Sequence, residues 1–396
     1  MNVLIGQSGG PTVVINNSVC GIVQEAKRQG VGGIYGAING ILGVLRDDLI
    51  DLGKEDPFTI EGLRKTPSSA LGSCRYKVQE EDYGRIIEIF EKHNIRFFFY
   101  IGGNDSMDTA HKIEGLARKE DFDLTVIGVP KTVDNDLVKT DHCPGYGSVA
   151  RFNAIATRDA GRDTDAIYTS DPIKIIETMG RNTGWITAST ALAKEDENDA
   201  PHLIYLPETP FIAEDFLEDV LTVYKKLGKV VITVCEGLKN ESGEHLMASR
   251  GEIDTDGFKH AQLGGVADYL CRLISRELKI KARFDKPGTI QRTSMVCASK
   301  TDIEEAYMVG RDAVKYAMEG KSGYMVSLIR EKEYRCKTGL VRLELIANRV
   351  KRVPENFIKE EGNFVTQEFI RYAKPLIGGP LPEYVRLGRF PVNISG

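Results

Sequence analysis

Apolar residues in this chain fall into short continuous runs separated by longer amphipathic stretches. Asn2–Ile5, Ile34–Ile38, Ile95–Ile101, Leu124–Val129, Lys174–Thr178, Leu203–Leu206, Lys229–Cys235 and Tyr324–Leu328 have strand length and strand composition. Between them the pattern predicts helices over Thr12–Gln29, Glu80–Asn94, Ser148–Gly161, Thr183–Ala193, Ala213–Leu227, Phe258–Leu278 and Ile303–Met318. Met107, Ala110, Ile113 and Ala117 open another helix directly after the run that ends at Ile101. Asp165–Thr169 reads as further β, Arg283–Thr293 as a return to strand character, and Gly40–Val44 as a turn or short helix. Asn240–Gly257 is polar and expected to be mobile, and beyond Leu345 the pattern assigns no elements. Strands that alternate with helices imply a parallel sheet covered on both faces. A glycine/proline break near Cys143–Gly147 divides the chain into two such units, so the expected fold is α/β: two Rossmann-like three-layer α/β/α domains with a cleft between them.

Charge narrows the partners. The net charge of −5 is that of an ordinary soluble surface and argues against nucleic acid or a membrane as the main partner. No apolar run approaches the ~20 residues of a membrane span. The seven cysteines are scattered, with no C-x-x-C, and read as reduced and mostly buried, which implies a cytoplasmic setting. MNVLIGQSGG reads as a first strand and not as a signal peptide.

The chemistry concentrates in two loops, each after a strand. In YIGGNDSMDTA, the loop around Gly103 and Ser106 opens a helix, and backbone N–H groups at a helix start cradle an anion. Asn104 and Asp105 add an amide and a carboxylate there, or serve as helix caps. In GVPKTVDNDL, Lys131, Thr132, Asp134 and Asp136 fall within six residues. A phosphate cradle beside a base and metal-ligating carboxylates is the layout of a phosphoryl-transfer site. Asp134 is the strongest candidate base, the alternative being that Asp-Asn-Asp is an Asx-turn. Ser8-Gly9-Gly10 is a further glycine-rich turn after a strand, although no dinucleotide or P-loop fingerprint is present. Arg75 ends a glycine/serine loop, where it is either solvated or a fork for phosphate. Glu236 closes a strand, on the rim where open parallel sheets bind ligands. The six histidines show no zinc-hydrolase spacing.

In chain order, SGG, GGNDS, PKTVDND, MGR, CEG and TIQR make the sequence resemble the phosphofructokinase family, which phosphorylates the 1-hydroxyl of fructose 6-phosphate. The resemblance covers about three-quarters of the chain, and PKTVDND with MGR carries most of its specificity. It implies a phosphofructokinase-like arrangement in which residues 1–145 plus about 291–345 bind the phosphoryl donor and Mg²⁺. Residues about 146–290 plus the C-terminal segment would then bind fructose 6-phosphate. It implies that Gly10 lies against the donor, that Arg75 touches the transferring phosphate and that Asn104 stands at a magnesium-linked position. Asp134 would accept the proton, with Thr132 and Asp136 as substrate-binding neighbours. Met179, Gly180, Arg181 and Glu236 would bind the sugar. Arg283 and Arg292 would hold the 6-phosphate, Arg283 from a neighbouring subunit, so a homodimer or homotetramer is expected.

Asp105 and Lys131 resemble the pair found in pyrophosphate-dependent members, where ATP-using members have glycines. A carboxylate and a long ammonium chain fill the space beside an α-phosphate, so diphosphate is the expected donor. ATP-dependent or dual-donor activity is the alternative. Asn104, Thr289 before Ile290-Gln291-Arg292, and Pro172 depart from the family pattern. They leave open a related kinase of another sugar phosphate such as sedoheptulose 7-phosphate. A non-catalytic phosphate-ligand sensor is disfavoured by intact Asp134 and Lys131, and a dehydrogenase by the missing G-x-G-x-x-G.

Overall fold

Leu4 and Ile5 are adjacent in sequence and both fully buried, on opposite faces of one sheet. This arises only where helices cover both faces. The computed structural model describes residues 1–253, 261–347, 349–388 and 390–392. Its larger sheet contains β1 (Asn2–Gln7), β2 (Ile34–Ala37), β3 (Leu49–Asp51), β4 (Ile95–Gly102) and β5 (Thr125–Pro130), joined by two late strands given below. Leu4, Phe98, Tyr100 and Val126 pack with Phe90 and Ile113 of the helices α4 (Asp82–Lys92) and α5 (Asn104–Lys119). The alternate residues Val3, Ile5, Phe99, Ile101 and Ile127 pack against α1 (Ile15–Arg28) and a late helix, α10 (Lys300–Met318). Two short helices, α2 (Ile41–Arg46) and α3 (Pro57–Gly62), complete this half. α1 and α10 cross so closely that a Cβ on Gly21 would lie 2.3 Å from the Tyr307 carbonyl, and one on Gly310 2.1 Å from that of Ser18. Glycine is required at that crossing because backbone meets backbone.

The smaller sheet consists of β6 (Ile173–Thr178), β7 (Leu203–Tyr205), β8 (Val230–Cys235) and β11 (Ala282–Asp285), all parallel, in the order β11-β6-β8-β7. α6 (Tyr146–Ile167) and α7 (Trp185–Ser189) lie on one side, α8 (Ala213–Leu227) and α9 (Val266–Glu277) on the other. A two-stranded antiparallel ribbon, β9 (Ala248–Ile253) with β10 (Ala261–Leu263), precedes α9. The chain then returns to the larger sheet through β12 (Tyr324–Glu331) and β13 (Arg335–Arg342), giving the order β13-β12-β5-β4-β1-β2-β3. Both edge pairings are antiparallel and the interior is parallel. β1 sends the chain first to β2 on one side and later to β4 on the other. The carboxyl ends of β1 and β4 therefore flank a topological switch point, where such sheets bind ligands.

Several expectations need correction. Asp165–Thr169 is not β: α6 runs on to Ile167, because Gly161 and Thr164 continue its buried face. The helix expected from Phe258 begins at Val266. Gly264 and Gly265 have φ of 139° and 89° and interrupt it, while Ala261–Leu263 pairs with β9. The start of that expected helix, 258–260, lies outside the described residues. Arg283–Thr293 is strand only to Asp285, after which Pro287 and Gly288 (φ 56°) turn the chain into a 3-10 helix over Gly288–Arg292. Finally, the segment beyond Leu345 is structured. It contains α11 (Gln367–Ala373), whose Phe369 packs on Trp185. Of the polar stretch Asn240–Gly257, Ala248–Ile253 forms β9, and 254–257 lie outside the described residues.

Candidate active site

The carboxyl ends of β1, β4 and β5 face those of β6 and β8 across a cleft of about 450 Å³. Lys131 leaves β5 at its rim, is 3 % exposed, and donates from Nζ to the Gly10 carbonyl at 2.9 Å. The two loops need glycine for this approach. A Cβ on Gly9 (φ 76°) would meet the Lys131 Nζ at 3.1 Å, and one on Gly10 would meet Arg292 Nη1 at 2.7 Å. Arg292 therefore reaches the donor-side loop, and Arg75 interacts with both it and Lys131. Three cations face one small space. Burial and the two arginines lower Lys131 to about 8, against attraction from Asp134 and Asp136. An anion with several charges relieves that repulsion.

Asp134 lines the same cleft as Lys131 and attracts its charge. Burial, then Asp136 and Glu236, raise its carboxyl to about 7, with Lys131 and Arg292 pulling the other way. Its loop is held from several directions. The Asp134 N–H donates to Thr132 Oγ1 at 3.1 Å, and its carbonyl accepts from Thr183 Oγ1 at 3.1 Å. Asn135, at φ 53°, accepts from the Cys143 N–H at 3.0 Å and donates from Nδ2 to the Tyr372 hydroxyl at 2.9 Å. Carboxyls that titrate near neutrality in a cleft are suited to proton transfer.

α5 starts at Asn104 with Gly103 before it and no side-chain cap, so the first N–H groups of the helix face the cleft near Ser106 and Asp105. Asn104 Nδ2 donates to Asp136 Oδ2 at 3.3 Å. Asn104 Oδ1 and Asp136 Oδ1 are both buried without a hydrogen-bond partner among the described residues. An amide oxygen and a carboxyl oxygen from hydrogen-bonded neighbours, both left without a partner, form a donor set that fits a hard cation such as Mg²⁺.

On the facing side, Met179, Arg181, Asn182 and Thr183 follow β6, and Glu236 follows β8. The Gly180 N–H donates to Glu236 Oε1 at 3.4 Å. A Cβ on Gly237 would lie 2.0 Å from the Arg181 carbonyl, so the M-G-R and C-E-G turns touch backbone to backbone. Gln291 accepts from the Met179 N–H at 3.3 Å and so ties the T-I-Q-R turn to the same site.

The cleft thus brings together Gly10, Arg75, Gly103, Asn104, Asp105, Ser106, Lys131, Thr132, Asp134, Asp136, Met179, Arg181, Glu236 and Arg292, with Gly180 directly behind. Two sequence candidates lie elsewhere. Arg283 is exposed on the edge strand β11 and pairs with Asp171 at 2.8 Å. Thr289 is exposed on the 3-10 turn and does not line the cleft. Sequence reading missed Val350, which lines the cleft, and Lys351. Lys351 is half-buried between the two halves: its N–H donates to the Asp136 carbonyl at 2.7 Å, and its carbonyl accepts from Trp185 Nε1 at 2.9 Å. A lone lysine in a basic segment of weak pattern carries no signal for this. All seven cysteines are free, five of them buried. His142 and Glu305 are buried beside the half-buried Cys336, but His142 is held by Asp141 at 2.8 Å and Glu305 at 2.6 Å, which reads as an internal ion pair. No helix among the described residues is long and apolar enough to cross a membrane.

Glycine-rich turns, a helix start, clustered cations and a carboxyl near neutrality define a phosphoryl-transfer site between two α/β halves. Comparison with known proteins is specific: the model of the family described as Phosphofructokinase matches residues 2–317, and the chain belongs to that family. It is 42% identical over 410 residues to the pyrophosphate–fructose 6-phosphate 1-phosphotransferase of Halomonas elongata, covering 99% of this chain and 97% of that protein. A protein of the same name from Xanthomonas campestris pv. campestris is 41% identical over 389 residues, covering 96% and 92%. A crystal structure of the pyrophosphate-dependent phosphofructokinase of Nitrosospira multiformis superposes with a TM-score of 0.88 at 39% identity, covering 100% of this chain and 99% of that one.

Proposed function

We propose that this chain is a diphosphate-dependent fructose-6-phosphate 1-phosphotransferase, consistent with the relatives that match it end to end. The observation that carries the donor assignment is Lys131. Its ammonium is fixed on the Gly10 carbonyl, in the cleft that Asp134 also lines, where it meets a compact polyanion. Asp105 stands on the same side of the cleft and repels the further phosphate of a nucleotide.

In the proposed reaction the sugar lies on Met179, Gly180, Arg181 and Glu236, with its 1-hydroxyl toward Asp134. As the hydroxyl oxygen bonds to phosphorus, Asp134 takes its proton. The bridging P–O bond breaks, and phosphate leaves with the bond pair. Lys131 and Arg75 stabilise charge spread over the transferring group, the N–H groups at the start of α5 hold its oxygens, and Arg292 holds the 6-phosphate. Asn104 and Asp136 would hold Mg²⁺, which supplies neutralisation of diphosphate charge when bound. Diphosphate and a sugar phosphate differ less in transfer potential than ATP and that ester, so the reaction runs readily both ways. We assign the larger-sheet half to the donor and the smaller-sheet half to the sugar.

Initial rates with fructose 6-phosphate and Mg²⁺, offered diphosphate and ATP in parallel, test the donor. Strong turnover with diphosphate and little with ATP is expected; the reverse would sink the Lys131 argument. A homo-oligomer follows if the exposed Arg283 completes a neighbour's 6-phosphate site, and the exposed Phe284, Ile290 and Val296 beside it suit a covered surface. Sedimentation velocity at assay concentration is expected to show a dimer or larger. A fully active monomer would remove Arg283 from that role.

A further inference from the structure

A second cleft, of about 910 Å³, lies outside the catalytic site, between the segment that follows α7 and the C-terminal segment. Its size suits a small ligand. Leu192, Phe364, Ile370 and Leu381 make an apolar floor. Its lining carries four cations and four carboxylates, most of which are satisfied. Glu195 is paired with Arg158 at 2.8 Å and Glu197 with Lys226, while Asp196 shares Arg386 at 3.4 Å with Asp165 at 3.1 Å and Asp199 at 2.8 Å. Lys194 donates only to the carbonyls of Glu197 and Asp199, at 3.0 and 2.7 Å. Lys359 and Lys374 have no carboxylate partner among the described residues, and Glu383 is the one lining carboxylate without a cation among them. The cleft therefore offers apolar surface edged by two exposed ammonium groups, Lys374 and Lys359, the latter 5.4 Å from the centre of the Phe364 ring.

α11 forms one wall and also touches the catalytic loop. Gln367 and Ile370 of α11, with Lys374 just after it, fall at helical spacing on the cleft side. Phe369 and Tyr372 fall on the other side, against Trp185, at ring distances of 6.4 and 5.4 Å. The Tyr372 hydroxyl accepts from Asn135 Nδ2 at 2.9 Å and donates to the Asp141 carbonyl at 2.9 Å. Asn135 is the residue between Asp134 and Asp136. One short helix thus connects the second cleft to the backbone that carries the proposed base.

We propose that this cleft binds a small amphipathic anion, an aryl or short acyl group bearing one phosphate or carboxylate, and that its occupancy reaches the catalytic loop through α11. The binding half stands independently of the reaction proposed above, because it is read without turnover. Trp185 is the only tryptophan in the chain, so its emission reports on the packing of α11. Phenyl phosphate is the probe, titrated into the full-length protein and followed by Trp185 fluorescence and by calorimetry.

The expected result is a saturable change in both signals that survives saturating fructose 6-phosphate. Inorganic phosphate and phenol should each bind at least tenfold more weakly, because each satisfies only one feature of the cleft. Lys359→Ala/Lys374→Ala should weaken phenyl phosphate at least tenfold and leave basal turnover unchanged. Binding abolished by fructose 6-phosphate, or unaffected in the double variant, would overturn the site. Calorimetric binding at this cleft with silent Trp185 emission would overturn the transmission to the catalytic loop.

Discussion

Asp134→Asn is expected to lower kcat by about 10³–10⁴-fold, toward the upper end of what a positioned general base contributes. The KM for fructose 6-phosphate should stay within about threefold, because the proposed sugar contacts come from Met179, Arg181 and Glu236 on the facing half. The same substitution should stabilise the fold at neutral pH. The Asp134 carboxyl is raised from 3.8 to about 7, chiefly by burial. A carboxyl that holds its proton more tightly in the folded state destabilises that state as pH rises from the unfolded value to the folded one. The penalty is absent below pH 3.8 and complete above about 7. Asparagine never ionises, so the variant should unfold at a higher denaturant midpoint at pH 8 and show little gain at pH 4. Steady-state kinetics and urea titrations at the two pH values check both halves. Turnover near that of the unaltered protein would remove Asp134 from the role of base. A lower midpoint at pH 8 would mean that the carboxylate is structurally required.

The second large effect concerns the donor. Asp105→Gly/Lys131→Gly should cost about 10²–10³-fold in kcat/KM for diphosphate, the scale of losing one aimed electrostatic contact. It should raise turnover with ATP, because it opens the space beside Gly10 and removes the carboxylate at the start of α5. The pH profile supplies a separate readout. Transfer needs Asp134 ionised, which favours pH above about 7, and Lys131 charged, which favours pH below about 8. The kcat/KM of the unaltered protein should therefore be bell-shaped with its maximum between those values, and the glycine variant should lose the alkaline limb. An unchanged alkaline limb would assign that titration to another group. No gain with ATP would show that something other than these two side chains excludes the nucleotide.

Much of this was legible in the sequence, for local reasons. A buried parallel strand is a continuous apolar run, as in Ile95–Ile101, and a glycine turn that ends it marks a ligand rim. Lys131, Thr132, Asp134 and Asp136 are neighbours in the chain, so their proximity needed no tertiary information. Where the reading failed, the competing signal was also local. Asp165–Thr169 has strand composition, yet the buried face of α6 continues through it. The helix expected from Phe258 ignored two glycines at positive φ.

Other features exist only in three dimensions. That Arg292 reaches Gly10, far away in sequence, follows from β1 and the 3-10 turn facing one cleft. The titration of Asp134 near neutrality depends on burial beside Asp136 and Glu236, which no local pattern encodes. Lys351 is a charged residue in a segment without periodicity, and only the packing of the C-terminal segment brings it against the catalytic loop. The sequence alone determined the strands, the turns and the chemical groups, because those depend on neighbours along the chain. The tertiary structure alone decided which groups share a dielectric environment and a set of hydrogen bonds, because electrostatics and burial act through space.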